Sequence, residues 1–291
     1  MTHKFFKIAV AAVATLTAGV LLAACSSNGS SSNKSSSTAK VTTINVGLDG
    51  STQPFEYTKN GELTGYDVAV AKAVFAKLPQ YKLNFQIMDF NSIATSIDNG
   101  RIQMGANDFG WNAARAEKYY FTSPVSKSNN AVAVRSSDNS KITDLSSLAG
   151  MKTEGEVSSN YTSAIQTFNK SASKPIDISY ISGQTPFSNR LTDIVNGKID
   201  FVLYDKISLK STIDQLGFDS KLKIKDVSMS SSNDAHEGYE YFLLPKTAQG
   251  KTLQSDINKV LKELAADGTL KKYSEQYFGG DFVPESSLFT N

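Results

Sequence analysis

The sequence predicts an α/β fold made of two similar blocks, each organised around a mainly parallel sheet. Three observations carry that prediction. Short β-branched runs alternate with helix-period segments from residue 41 onward. The alternation runs twice, once before and once after residues 129–135. Most of the helical segments are short, and several end on a glycine, which suits compact βαβ units. The two blocks share a pattern and no repeated sequence.

In the first block, TTINVGL (42–48) is a strand by its β-branched content. Residues 64–78 place Val68, Ala71, Val74, Phe75 and Leu78 at helical spacing. KLNFQIM (82–88) is a second strand, and residues 91–100 are a helix with Asn91 as its N-cap and Gly100 as its stop. IQMGAN (102–107) is the third strand. The polar string NDFGWN then leads to a short helix that carries Arg115, one of only four arginines in the chain.

The second block opens with NNAVAVR (129–135), followed by a short helix at 144–150 and a polar-capped helix at 158–170. IDISYI (176–181) is a strand, 185–197 a helix ending at Gly197, KIDFVLYD (198–205) a strand and 207–217 a helix. YEYFLLP (239–245) is a long strand, and two helices, 251–266 and 268–277, close the chain. The apolar segments AVAV and YEYFLL are candidates for strands that cross between the blocks.

Residues 1–24 differ from the rest. Lys4 and Lys7 precede the largely apolar run Ile8–Leu22. The run is too short to span a membrane and reads as a secretory signal. Cys25, the only cysteine, follows Leu22-Ala23-Ala24 in a pattern that resembles the bacterial lipobox. Cys25 is therefore expected to be lipidated and to anchor the chain. A single cysteine excludes an internal disulfide or a cysteine-based metal cluster. Residues 25–40 are expected to be a tether: the fifteen after Cys25 hold no apolar side chain larger than Ala. At flexible-chain scaling they would reach roughly 20 Å. Removing Lys4 and Lys7 with the leader leaves 28 basic against 28 acidic residues. That balance gives no footprint for nucleic acid.

Catalytic signals are weak. His236 is the one histidine outside the leader and lies in the polar stretch SSNDAHEGYE, where a solvated loop is expected. No GxSxG or GxGxxG occurs, and Gln249-Gly250-Lys251-Thr252 lacks a phosphate loop's first glycine, because Pro245 stands there. No enzyme activity, cofactor or metal is expected.

A ligand site is easier to place. In an open parallel sheet, ligands bind beyond the carboxyl ends of strands. NDFGWN lies there, its small residues permit close backbone approach, and Arg115 offers a planar fork for a carboxylate. A helix N-terminus would add favourable amides.

The segments INVGLDGSTQPFEYTKNGELTGYDVAVAKAVFAKL and DFNSIATSIDNGRIQMGANDFGWNAARAEKYYFTSPV resemble the bacterial family 3 extracellular solute-binding proteins. LSSLAG (145–150), NGKIDFVLYD (196–205) and VLKELAADGTLKKYSEQYFG (260–279) extend the resemblance to the C-terminal end. It implies a type II periplasmic-binding-protein-like fold, two α/β lobes joined by two crossing strands, with the ligand in the cleft. Lobe 1 would comprise 41–130 plus 236–291, and lobe 2 131–235.

The resemblance also assigns roles. Arg115 would bind an α-carboxylate, with Asp108, Gly110 and Asn112 beside it; Asn112 stands where the family usually has Thr. Ser159 and Asn160 would donate to the same carboxylate from the second lobe. Asp205 would hold the α-ammonium. Asp108, unfavourable beside a carboxylate, would point elsewhere or meet an ammonium. Phe90 would stack on the ligand side chain and Asp49 would set selectivity; a large disulfide-linked ligand is compatible with Trp111 and Phe90 without requiring them. The stretch from Ala106 to Tyr119 looks most like the cystine-binding subgroup, with glutamine or an acidic or basic amino acid as the other ligands left open.

The function so implied is the extracellular substrate-binding component of a polar amino-acid ABC importer. It would be a monomer, lipid-anchored on the outer face of a Gram-positive cell, and would deliver its ligand to a membrane permease with its ATPase. An adhesin or ligand sensor on the same fold is the alternative, with a same-fold enzyme behind it.

Overall fold

The computed structural model describes residues 41–229 and 235–289. The expected signal at 1–24, Cys25 and the tether to residue 40 lie outside the described residues. The chain opens with β1 (Thr42–Leu48), followed by a small three-stranded sheet of β2 (Ser51–Thr52), β3 (Glu56–Lys59) and β4 (Glu62–Thr64). Then come α1 (Tyr66–Ala76), β5 (Tyr81–Ile87), α2 (Phe90–Asp98), β6 (Met104–Gly110), α3 (Ala113–Lys118), β7 (Tyr119–Phe121) and β8 (Ser126–Lys127). The second series is β9 (Asn130–Arg135), a 3-10 turn (Leu145–Leu148), β10 (Lys152–Glu156), α4 (Asn160–Asn169), β11 (Asp177–Ile181), α5 (Phe187–Val195), β12 (Phe201–Asp205), α6 (Lys206–Leu216) and β13 (Leu222–Asp226). β14 (Tyr239–Pro245), α7 (Ala248–Ala266) and α8 (Thr269–Phe278) follow.

Two larger sheets result. The first has the order β5-β1-β6-β14-β7, with β8 also on β14; the second has the order β11-β10-β12-β9-β13. Neither is as parallel as the alternation suggests. β14 runs antiparallel to β6, β7 and β8, and β9 runs antiparallel to β12 and β13. Both strands are the first after a passage from the other sheet, so they enter from the opposite end. AVAV and YEYFLL therefore do not cross between lobes. They are the strands β9 and β14, each paired inside one sheet. The crossings lie between β8 and β9 and between β13 and β14. They run side by side: the Ser128 N–H donates to the Gly238 carbonyl at 2.7 Å and Val227 N–H to the Asn130 carbonyl at 3.0 Å.

Each sheet has its own core. Ile44, Val46, Val74, Phe242, Ile257, Leu261 and Leu264 pack α1 and α7 on the first. Val132, Leu191, Ile194, Phe201 and Leu209 pack the second. Each such side chain stabilises the fold by about 1.5–3 kcal/mol relative to exposure. β10 was not expected, because KTEGE has almost no apolar content; it is a strand because β11 and β12 flank it on both sides. Asn91 is not the cap of α2. Asp89 is, accepting from Asn91 N–H at 2.8 Å, which frees the Asn91 side chain to accept from Ser158 N–H at 3.1 Å.

Candidate functional site

The stretch NDFG is strand, not loop. β6 runs three residues beyond the expected end at 107, because Gly110 and Phe109 pair with Glu240 and Tyr241 of β14. All seven residues of β6 are buried. Asp108 adopts φ +46°, close to the left-handed region that Asp tolerates better than most side chains. Its N–H turns away to Asp67 Oδ2 at 2.9 Å, and the β6–β14 register shifts next to it. A bulge here re-aims a side chain into the interior.

α3 is a single short stretch of six residues, and Asn112 closes its amide end by accepting from Arg115 N–H at 2.8 Å. The side chain of Arg115 folds back over Phe109, 5.1 Å from the ring centroid. Nη1 donates to the Gly110 carbonyl at 2.7 Å, and Nη2 donates across the lobes to the Ser158 carbonyl at 2.5 Å. Arg135 and Arg190 have carboxylate partners in Asp200 and Glu156, whereas Arg115 forms no ion pair among the described residues. Desolvation of the guanidinium lowers its pKa to about 10, so it stays charged at neutral pH.

The second lobe meets this surface with the start of α4. Ser159 caps α4, accepting from Tyr161 N–H at 3.2 Å, so its hydroxyl oxygen already serves the helix. The Asn160 carboxamide lies against Gly110, where any added Cβ would overlap it. Ser182 Oγ donates to Asp89 Oδ2 at 3.1 Å, and Gly183 lies against Phe90. The lobes thus touch at several points around the opening.

Asp205 ends β12 and caps α6, accepting from Ser208 N–H at 2.8 Å and from Ser128 Oγ at 3.4 Å. Its Oδ2 has no partner among the described residues. Burial raises its pKa against the hydrogen bonds from Ser208. Asp205 and Arg115 both face Glu240, so the two expected charge partners border one interlobe region.

The remaining expected residues are distributed around it. Phe90 is buried and stacked on Phe109 at 5.5 Å. Asp49 directs its carboxylate to Ser51 N–H, Ser51 Oγ, Thr52 Oγ1 and Asn107 Nδ2. Trp111 stacks on His236 at 4.7 Å, and His236 Nδ1 lies 3.3 Å from the Tyr241 hydroxyl, so that histidine is not simply solvated. Trp111, Asn112 and Asn160 line a flanking cavity of about 850 Å³.

Sequence reasoning missed four acids: Glu56, Asp67, Glu240 and Glu156. Burial drives Glu56 and Glu240 well above the usual carboxylate range and Asp67 to about 7. Each is an acid inside or beside an apolar run, PFEY, GYDVAV, YEYFLL and TEGEV. That was the available signal.

Two α/β lobes with paired crossings and polar groups meeting where the lobes touch define the type II fold of solute-binding proteins. Residues 44–280 match the bacterial extracellular solute-binding proteins, family 3, and the chain belongs to that family. It is 31% identical over 284 residues to the probable amino-acid-binding protein YxeM of Bacillus subtilis (strain 168), covering 97% of this chain and 98% of that protein. It is 30% identical over 249 residues to the L-cystine-binding protein TcyJ of the same organism, covering 85% and 87%. A solved structure from work on glutathione import via GshT and the cystine ABC importer TcyBC of Streptococcus mutans is 30% identical. It superposes with a TM-score of 0.77, covering 85% of this chain and 99% of that one.

Proposed function

We propose that this protein is the extracellular binding component of an amino-acid ABC importer and that it takes a zwitterionic amino acid, L-cystine first, between its lobes. One observation carries the reading. Arg115 is a half-buried cation with no acid partner among the described residues, holding one carbonyl from each lobe. A guanidinium so placed suits an incoming carboxylate, which forms two parallel charge-assisted bonds. Asp205, from the other lobe, supplies the anion for the ammonium. Asn160, at the start of α4, is the second-lobe candidate for the carboxylate, and Phe90 with Trp111 forms the apolar border.

A ligand that touches Arg115 and Asp205 at once favours the closed arrangement, because only there are both within reach. The closed form then docks on a membrane permease and its ATPase. Lipid attachment at Cys25 and the Ser-rich tether keep the protein at the outer face of the membrane. The names of the amino-acid- and cystine-binding relatives support the ligand class.

The test is a thermal-shift screen with the twenty amino acids and L-cystine. A ligand at a hundred times its Kd adds about 2.7 kcal/mol to the native state. For a body of this size that raises the melting temperature by several degrees. L-cystine is expected to give the largest rise. If none of the compounds shifts the transition, the amino-acid reading fails.

A further inference from the structure

Seven of the buried side-chain atoms that lack a hydrogen-bond partner belong to five carboxylates: Glu56, Asp67, Asp108, Asp205 and Glu240. Such atoms are costly in a dry interior and native proteins hold few of them. Three of these acids stand together and come from both lobes. Asp108 is on β6, Glu240 on β14 and Asp205 at the end of β12. Asp108 lies against both of the others. Each is at least nine-tenths buried. Asp108 is a side-chain hydrogen-bond partner of both Asp205 and Glu240, a contact that needs a proton shared between acids. No N–H or hydroxyl among the described residues donates to either oxygen of Asp108, to Oδ2 of Asp205 or to Oε2 of Glu240.

We propose that Asp108, Asp205 and Glu240 form one composite cage for a primary ammonium group, and that the lobes close on it only when a cation or protons fill it. Asp108 and Glu240 thereby become specificity determinants beside Asp205. They select ligands with a free amine and hold the empty protein open at neutral pH. The identity of the cation rests on the amino-acid reading above; the coupling of closure to protons does not.

Among the described residues, Arg115 is the cation that faces the cage, and it opposes the rise at Glu240 only in part. From β3 and α1, the acids Glu56 and Asp67 face Asp108 and add to the repulsion. From α3, Arg115 faces Glu240, but its hydrogen bonds go to carbonyls. From α4 and β12, the Tyr161 and Tyr204 phenols face the cage and are held protonated by burial and by these acids. Asp205 keeps one oxygen on the α6 amide end and Ser128. Burial, then the neighbouring acids, pushes Asp108 and Glu240 well above the ordinary carboxylate range.

The sign follows from linkage. The closed empty state binds more protons than the open one, so it gains as pH falls and loses as pH rises through the raised pKa values. Neutralising one member leaves fewer charges to bury, so closure then survives to higher pH.

Small-angle scattering of the unliganded protein between pH 8 and pH 5 tests this. The wild type is expected to contract on acidification. Glu240→Gln and Asp108→Asn are each expected to contract with a midpoint about one pH unit higher, the scale of one nearby like charge. At pH 8, L-cystine is expected to contract the wild type and N,N′-diacetyl-L-cystine is not. A wild-type radius that does not change with pH overturns the proposal, whether or not the variants fold, as does contraction by the acetylated compound. If L-cystine has no effect while acid still contracts the empty protein, the amino-acid reading fails and the cage stands.

Discussion

Arg115→Ala is expected to weaken amino-acid binding by about two to four decades. Removing one partner of a buried, hydrogen-bonded charge pair costs roughly 3–5 kcal/mol, since the other charge is left uncompensated. At about 1.4 kcal/mol per decade, that gives the stated range. Arg115→Lys is expected to fall between the two, because an ammonium offers a point charge in place of two parallel N–H groups. Arg101→Ala is the control, since Arg101 is exposed. Isothermal calorimetry with L-cystine measures all four proteins. Wild-type affinity in Arg115→Ala would show that the carboxylate binds elsewhere.

Gly65→Ala is expected to cost about 3 kcal/mol or more of stability, a large structural effect for a single methyl group. Gly65 precedes α1 with φ 121° and ψ 175°, a region that side chains essentially do not enter. An added Cβ would overlap the Phe55 carbonyl, which is backbone and also accepts from Asp67 N–H at 2.9 Å. The clash therefore has no flexible side chain to absorb it. Gly197 has φ +74° and open space around its Cβ position, so Gly197→Ala should show only the left-handed penalty of about 1–2 kcal/mol. Thermal unfolding should fall by about 6–12 °C for Gly65→Ala, at 2–4 °C per kcal/mol. Equal losses at the two positions would remove the argument from backbone overlap. The change would also displace Asp67, whose carboxylate holds Asp108 N–H.

Much of this fold could be read from its sequence, for reasons visible in particular residues. TTINVGL and YEYFLLP are strands because β-branched and aromatic runs fit a pleated, buried surface, and both have the expected bounds. KTEGE could not be read, because its strand state comes from its neighbours in the sheet. NDFG looked like a loop because Asn, Asp and Gly favour turns. Pairing with β14 overrides that preference at Phe109 and Gly110, while Asp108 keeps a turn-like φ inside the strand.

The candidate site divides in the same way. Arg115 stood out as a rare cation after a polar string, whereas Asp205 was marked only by the resemblance to the solute-binding family. Glu240 did not, since Tyr239-Glu240-Tyr241 reads as ordinary alternation with the acid facing water. Here Glu240 is buried, on a stretch of β14 flanked by Gly110 of β6 and Ser126 of β8. Only the assembly of three strands from both lobes gathers Asp108, Asp205 and Glu240.

A crystal structure of the protein grown with L-cystine tests the central claim most directly. The account predicts a carboxylate of the ligand on the Arg115 guanidinium, in place of the Gly110 and Ser158 carbonyls, with the ammonium of the same amino-acid unit at Asp205. Ligand seated instead in the flanking cavity beside Trp111, with Arg115 still bonded to those two carbonyls, would contradict it.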